Sequence, residues 1–464
     1  MADGFCIPVV LQGADLPWRD VRPEQVVAFS YRNGWVQVPI QVDERDVVEF
    51  AQVYGAYAEG NPLASDYGAG IFEEMYCDPN TYTGADSDPL LDENDEIAFM
   101  LEDCGAQAPS NEFPEGVDRD SGVEVILGNS SETVRAYIYL FVQDGSLVPS
   151  AGQAYVAYEF RTLAGPYTES YNTAGNDPET GLRNDDHGVQ LNPEDSWIRT
   201  ATYARHWSYR WTVDSLSLGD GPSLVEREDY WIQPGACGRH NGTFNAQEGA
   251  FIANISGPVR AIRSFVGANS GPLVQMDRIY YQAREEVTIN LRVHPRPAVG
   301  IFYVDHTMEA IGMKYANDLN PAGVVIDGVP DRLVAGPITW ELISGAQGSI
   351  LRIHSTETDI DFPEGTMTLY YEDKLNTTTN LCESCHDGCA DPVPLGDEHL
   401  IGASGVWNTA PLPNTDPRLL ATNFLTTRVT TFYGLASWTE EDARLRYEQT
   451  LQPVSFRVRS WPAE

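Results

Sequence analysis

Residues 23–42 read PEQVVAFSYRNGWVQVPIQV. Apolar residues alternate with polar ones on both sides of Asn33-Gly34, a dipeptide that accepts the positive φ angles of a tight turn. The pattern is a β-hairpin, with Val26–Tyr31 paired to Trp35–Val42. The same period of two continues outward from it. Residues 97–101 make an apolar strand, and residues 123–142 (VEVILGNSSETVRAYIYLFV) make two strands about a Gly128-Asn129 turn. YVAYEFRTL (155–163), ATYARHWSYRWTV (201–213), GPVRAIRSFVG (257–267) and DRIYYQAREEVTINLRVH (277–294) carry it through the middle. SILRIHST (349–356), TMTLYYED (366–373), VTTFYGL (429–435) and SFRVRSW (455–461) carry it to the end.

Other stretches read differently. Residues 105–120 are rich in Pro, Gly and acids and connect elements. Residues 164–197 are polar and read as a long loop, the kind that is often functional. One helix is expected, Thr439–Leu451, opened by Thr439 with Asp442 three residues on. No internal repeat is present. About 20 strands follow from this count. The fold class is therefore all-β: a large antiparallel β-sandwich, or two packed sandwiches, with long loops and one short C-terminal helix. The expected division is an N-terminal β-module over 1–115 and a large sandwich over 116–464, with a Cys-rich insert at 375–410.

Composition narrows the partners. The chain carries 68 acidic and 29 basic residues, a formal charge of −39. Coulomb repulsion opposes docking on nucleic acid or an anionic membrane. Only Lys314 and Lys374 are lysines, so arginine carries nearly all the positive charge. No run approaches a membrane span. Seven cysteines among 40 glycines and 30 prolines favour an oxidising compartment, so the protein is expected to be secreted, periplasmic or on the cell surface. The start, MADGFCIPVV, lacks the basic and apolar regions of a signal peptide. Cys77 with Cys104 and Cys6 with Cys237 are the expected disulfides.

Three constellations carry candidate chemistry. LCESCHDGCADP (381–392) holds Cys382, Cys385 and His386 as C-x-x-C-H, the attachment pattern of a c-type haem. The same residues fit a disulfide clamp of Cys382 with Cys389, or zinc held by Cys382, Cys385, Cys389 and either His386 or His399. No helical wrapping surrounds the motif, which favours the clamp. The acidic run 78–96 offers Asp86, Asp88, Asp92, Asn94, Asp95 and Glu96 as oxygen ligands for a structural calcium ion, with Asp43 and Glu44 as further candidates. The third is basic. Arg205, His206, Tyr209 and Arg210 share one strand, and Arg260, Arg263, Arg292 and His294 lie on others. Period two puts Arg205 and Tyr209 on one face and His206 and Arg210 on the other. A concave face with these groups would hold an acidic sugar, with arginine pairing the carboxylate and His206, Tyr209, Arg263 and His294 as candidate catalytic residues. The competing reading is that these arginines pair with the chain's own carboxylates. Asp305-His306 is a weaker pair.

VPIQVDE (38–44) and DENDEIAF (92–99) resemble the opening of secreted bacterial β-sandwich proteins. GPVRAIRSF (257–265) resembles a core strand of galactose-mutarotase-like supersandwich domains. The resemblance covers about 24 residues and implies a fold class and a polysaccharide context. The expected function is recognition, extended to cleavage, of an extracellular polysaccharide or acidic glycan. A single-haem redox protein and a structural surface protein are the alternatives.

Overall fold

The computed structural model describes residues 7–53, 55, 70–128, 135–163, 165–170, 193–209, 213–234, 250–266, 274–292, 298–375, 400–412 and 425–462. Among these residues, 27 strands form six antiparallel sheets, and the one helix longer than a single turn is Glu440–Leu451. The chain is all-β, as its alternation predicts.

The opening hairpin forms through Asn33 and Gly34. Tyr31 sits opposite Trp35 and Ala28 opposite Val38. Asn33 has φ 60° and Gly34 φ 151°, the region a side chain enters at a cost. The second strand stops at Val38, short of the expected Val42. Pro39 has no N–H to donate to the ladder. Beyond it, Gln41–Asp43 crosses to another sheet and pairs with Glu96–Met100.

Two sheets build the first sandwich. One is five-stranded, in the order Ser455–Ser460, Val123–Gly128, Arg135–Val142, Val26–Tyr31, Trp35–Val38. The other joins Pro8–Gln12, Glu96–Met100 and Gln41–Asp43. Leu11, Ile97 and Phe99 of the small sheet meet Val26, Val125, Ile138 and Leu140 of the large one in a single core. Each such side chain contributes about 1.5–3 kcal/mol of burial. The five-stranded sheet takes strands from both sides of the expected boundary at 115, and its edge strand comes from the carboxy-terminal end of the chain.

The second body is built on a nine-stranded sheet. Its order is Ala250–Ser256, Ala261–Val266, Val274–Tyr280, Arg284–Leu291, Leu425–Gly434, Gly348–Thr358, Trp340–Gly345, Lys314–Asn317, Val324–Val325. The stretch 277–294 is thus not one strand: Tyr281 N donates to Arg284 O and closes a hairpin. Two four-stranded sheets cover one face of the large sheet. One runs Val156–Glu159, Pro193–Thr200, Tyr203–Tyr209, Val213–Leu218, and the other Val225–Pro234, Ala298–His306, Leu400–Leu412, Met367–Lys374. The opposite face takes the hairpin Arg45–Glu49/Phe72–Tyr76 and the helix.

Pro193–Thr200 lies partly in the stretch read as loop. It is a strand whose inward positions include Glu194 and Ser196, polar residues that hid it from a hydrophobic pattern. The helix keeps its expected start. Thr439 Oγ1 accepts from Asp442 N, and Thr439 N donates back to Asp442 Oδ2 at 2.8 Å.

Candidate functional site

The basic constellation lies mostly inside the protein. In Tyr203–Tyr209, alternation buries Tyr203, Arg205 and Trp207 and turns His206 outward. Arg205 donates to Glu228 Oε2 at 2.7 Å and to Tyr433 OH at 2.8 Å, and pairs with Glu285 Oε2 at 2.7 Å. Arg278 closes the square, 2.7 Å from Glu228 Oε1 and 3.1 Å from Glu285 Oε1. Burial alone would raise the Glu228 carboxyl; Arg278 and Arg205 overcome it and hold the group at about 2. Arg263 forks onto both oxygens of Glu194 and donates to Tyr158 OH at 3.1 Å. The Trp207 and Phe251 rings lie 4.8 and 4.7 Å from it. Arg260 holds Asp43 and Glu96, and Arg292 holds Glu73 and Gln275.

Among the described residues, the arginines of the expected acidic-sugar face are paired with the chain's own carboxylates instead. A guanidinium in a protein interior must keep a counter-ion, so these arginines serve the fold. Arg263 and His206 lie on opposite sides of a four-stranded sheet. His206 is on the outer side, its Nε2 3.0 Å from Asp195 Oδ1 and its Nδ1 3.3 Å from Asp214 Oδ2. Trp197 stacks on it at 4.2 Å, and the Arg199 guanidinium lies 4.2 Å from the same indole. The Tyr209 side chain, Arg210 and His294 lie outside the described residues.

Asp305 Oδ1 accepts from His306 N and Ile401 N. His306 is 1% exposed, and burial, reinforced by Arg352, pushes its imidazole down to about 3. It borders a chamber of about 10 Å³ shared with Arg205, Glu228, Glu285 and Arg352, too small for any sugar ring.

The acidic run is a chain of turns. Asp86 accepts from Asp88 N, Asp88 from Leu90 N, and Asp92 from Asn94 N. Asp95 accepts from Arg45 N and Asp92 N, both at 3.0 Å. Glu96 is diverted: it pairs with Arg260 and Arg45 and accepts from Tyr76 OH. Burial, then the neighbouring Asp95, Asp86, Glu24 and Asp92, push Glu44 up to about 7. Burial first, with Asp92 and Asp86 adding to it against two backbone donors, lifts Asp95 to about 6. Among the described residues no three His, Cys, Asp or Glu side chains converge to hold a metal ion.

Cys77 and Cys104 are free thiols, not the expected disulfide. Cys77 directly succeeds the strand Phe72–Tyr76 on the second body, whereas Cys104 packs on the core of the first sandwich. Burial pushes both thiols up, Cys104 to about 12. Cys6, Cys237, Cys382, Cys385, His386, Cys389 and His399 lie outside the described residues, so the haem, zinc and clamp readings of residues 376–399 do too.

A different site emerges where the two bodies meet. A cleft of about 520 Å³ opens between Pro8–Val10 of the small sheet, the Arg284–Leu291 strand, the carboxyl end of the helix and the return strand Ser455–Ser460. That volume suits a small-molecule or saccharide site. Phe432 and Phe456 supply aromatic surface. Arg284 Nη2 holds Glu286 Oε1 at 2.6 Å, and its guanidinium lies 5.3 Å from the Phe432 ring. Arg284 Nε is enclosed with no hydrogen-bond partner. Gln449, Thr450 and Gln452 bring the last turn of the helix to the wall. The last carbonyls of a helix have no partner within it and carry the negative end of its dipole. The lining comes from four separate segments, so no local motif announced it. The aromatic and amide residues alone were visible in the sequence.

No family model matches the chain, and no curated protein matches it. Among solved structures, an alpha-mannosidase from Enterococcus faecalis V583 aligns at 9% identity and a TM-score of 0.40, over 98% of this chain and 44% of that one. The structure of HI1317 aligns at 9% identity and a TM-score of 0.30, over 52% of this chain and 92% of that one. The chain therefore spans less than half the length of the mannosidase. At these values neither likeness assigns a residue role.

Proposed function

We propose that this protein is exported and recognises a neutral extracellular polysaccharide in the cleft between its two bodies. The observation that carries this reading is the make-up of the cleft: two phenylalanine rings, a self-neutralised Arg284–Glu286 pair and the carbonyl end of a helix. Aromatic rings pack on the apolar faces of sugars, and amides and carbonyls take their hydroxyls. The resemblance of Gly257–Phe265 to a supersandwich strand points to the same ligand class.

Charge selects against an acidic glycan. The one arginine at the wall is neutralised by Glu286, the helix end is negative, and the chain as a whole is at −39. Recognition is favoured over cleavage, because Glu286 is the only carboxylate side chain among the described lining residues. Glycoside hydrolysis generally needs a pair of carboxyls flanking the bond.

A glycan array with the intact chain, then calorimetric titration, tests the reading. Binding to neutral polysaccharides at least tenfold tighter than to uronate-containing ones is the expected result. Silence across neutral glycans, or a preference for uronates, overturns it.

A further inference from the structure

We infer that the ligand is an extended chain of several sugar units that runs out of the cleft, past Phe456, into a second recess. The inference rests on the glycan reading of the cleft and adds the length and direction of its ligand.

The second recess has a volume of about 180 Å³ and is bordered by Ile126, Leu127, Gly128 and Arg135 together with Ser455, Phe456 and Arg457. Phe456 lines both concavities. It is 39% exposed, a large apolar side chain displayed between two hollows. Its strand, Ser455–Ser460, pairs on one side with Val123–Gly128, with Phe456 opposite Leu127. The strand ends the five-stranded sheet, so among the described residues its other side meets no further strand. An edge strand presents a row of backbone donors and acceptors.

These features complement one another along a path. The large cleft takes the first units and the Phe456 ring stacks on the next. The strand edge offers hydrogen-bonding groups to the hydroxyls beside it, and the recess takes the units beyond the ring. A monosaccharide would fill one hollow and leave the other empty. A polymer engages both hollows, and the unit between them stacks on Phe456.

The test uses the full chain and two neutral ladders, gluco-oligosaccharides and manno-oligosaccharides of one to six units, titrated by calorimetry. Affinity is expected to rise at least tenfold between two and five units on one ladder. Phe456→Ala should flatten that rise to less than threefold. Phe456→Trp should preserve the rise, which guards against a simple folding defect. Length-independent binding, or an unchanged rise in Phe456→Ala, overturns the extended-chain inference and leaves the cleft reading standing. Silence of both ladders overturns the two together. An extended peptide bound in their place, and lost in Phe456→Ala, would do the same in favour of strand addition at this edge.

Discussion

Glu228 and Glu44 are the same residue type in one chain, and their surroundings drive them in opposite directions. Glu228 sits between two sheets with Arg205 and Arg278 against it, and its carboxyl is held at about 2. Glu44 sits beside the acidic turns, with Asp95, Asp86, Glu24 and Asp92 around it, and is pushed up to about 7. Burial raises both. The difference is the counter-ion, and it teaches that the formal charge of −39 is unevenly distributed in its effects. The arginines were drawn into the sheet interfaces, where a lone carboxylate would be most costly. The acidic turns were left to repel one another near water.

The largest test of this contrast removes one corner of the buried square. Arg278→Met leaves Glu228 and Glu285 with Arg205 alone and should cost about 3–5 kcal/mol at neutral pH, read from urea denaturation. The penalty should shrink near pH 4, where a less compensated Glu228 takes up a proton. A loss under about 1 kcal/mol would mean the square contributes no net pairing.

The second test is acid stability. His306 has a folded pKa of about 3, below its ordinary value. The unfolded chain therefore binds the proton first, so stability is full above about pH 6.5 and falls as pH drops toward 3. Glu228 and Glu341, both held at about 2, add a loss of the same sign, but only below the ordinary glutamate range. Between about pH 6.5 and 4.5 the His306 contribution should be about 2–3 kcal/mol. His306→Gln should remove that slope. If both proteins lose stability in parallel over this window, His306 is not held neutral in the interior.

The smallest effect belongs to the acidic turns. Glu44 has a folded pKa above its ordinary value, so its repulsion is full at pH 8 and fades as pH falls through 7 toward 4.5. Glu44→Gln should stabilise the protein at pH 8 by about 1 kcal/mol or less, because the group is half in water and screened. The gain should vanish near pH 4.5.

Local elements were legible in the sequence. The hairpin at Asn33-Gly34 and the helix start at Thr439 rest on residues within four positions of one another, and both stand where they were read. The opposite facing of Arg205 and His206 comes from strand geometry alone. The break at Pro39 was missed: the alternation was read through to Val42, but proline has no N–H to donate and the strand ends at Val38.

What the tertiary structure alone decided was who meets whom. Arg459 and Glu124 are 335 positions apart and pair because the last strand joins Val123–Gly128. Glu194 and Ser196 concealed a strand because the partners that allow polar residues inward lie elsewhere in the chain. The same holds for the arginines: period two shows which face of a strand they take, but not whether that face looks at a ligand, a carboxylate or water. That choice is made by loop closure and sheet stacking, which join groups distant in sequence, and so the cleft at residues 8–10, 281–286, 432 and 449–456 exists only in the folded chain.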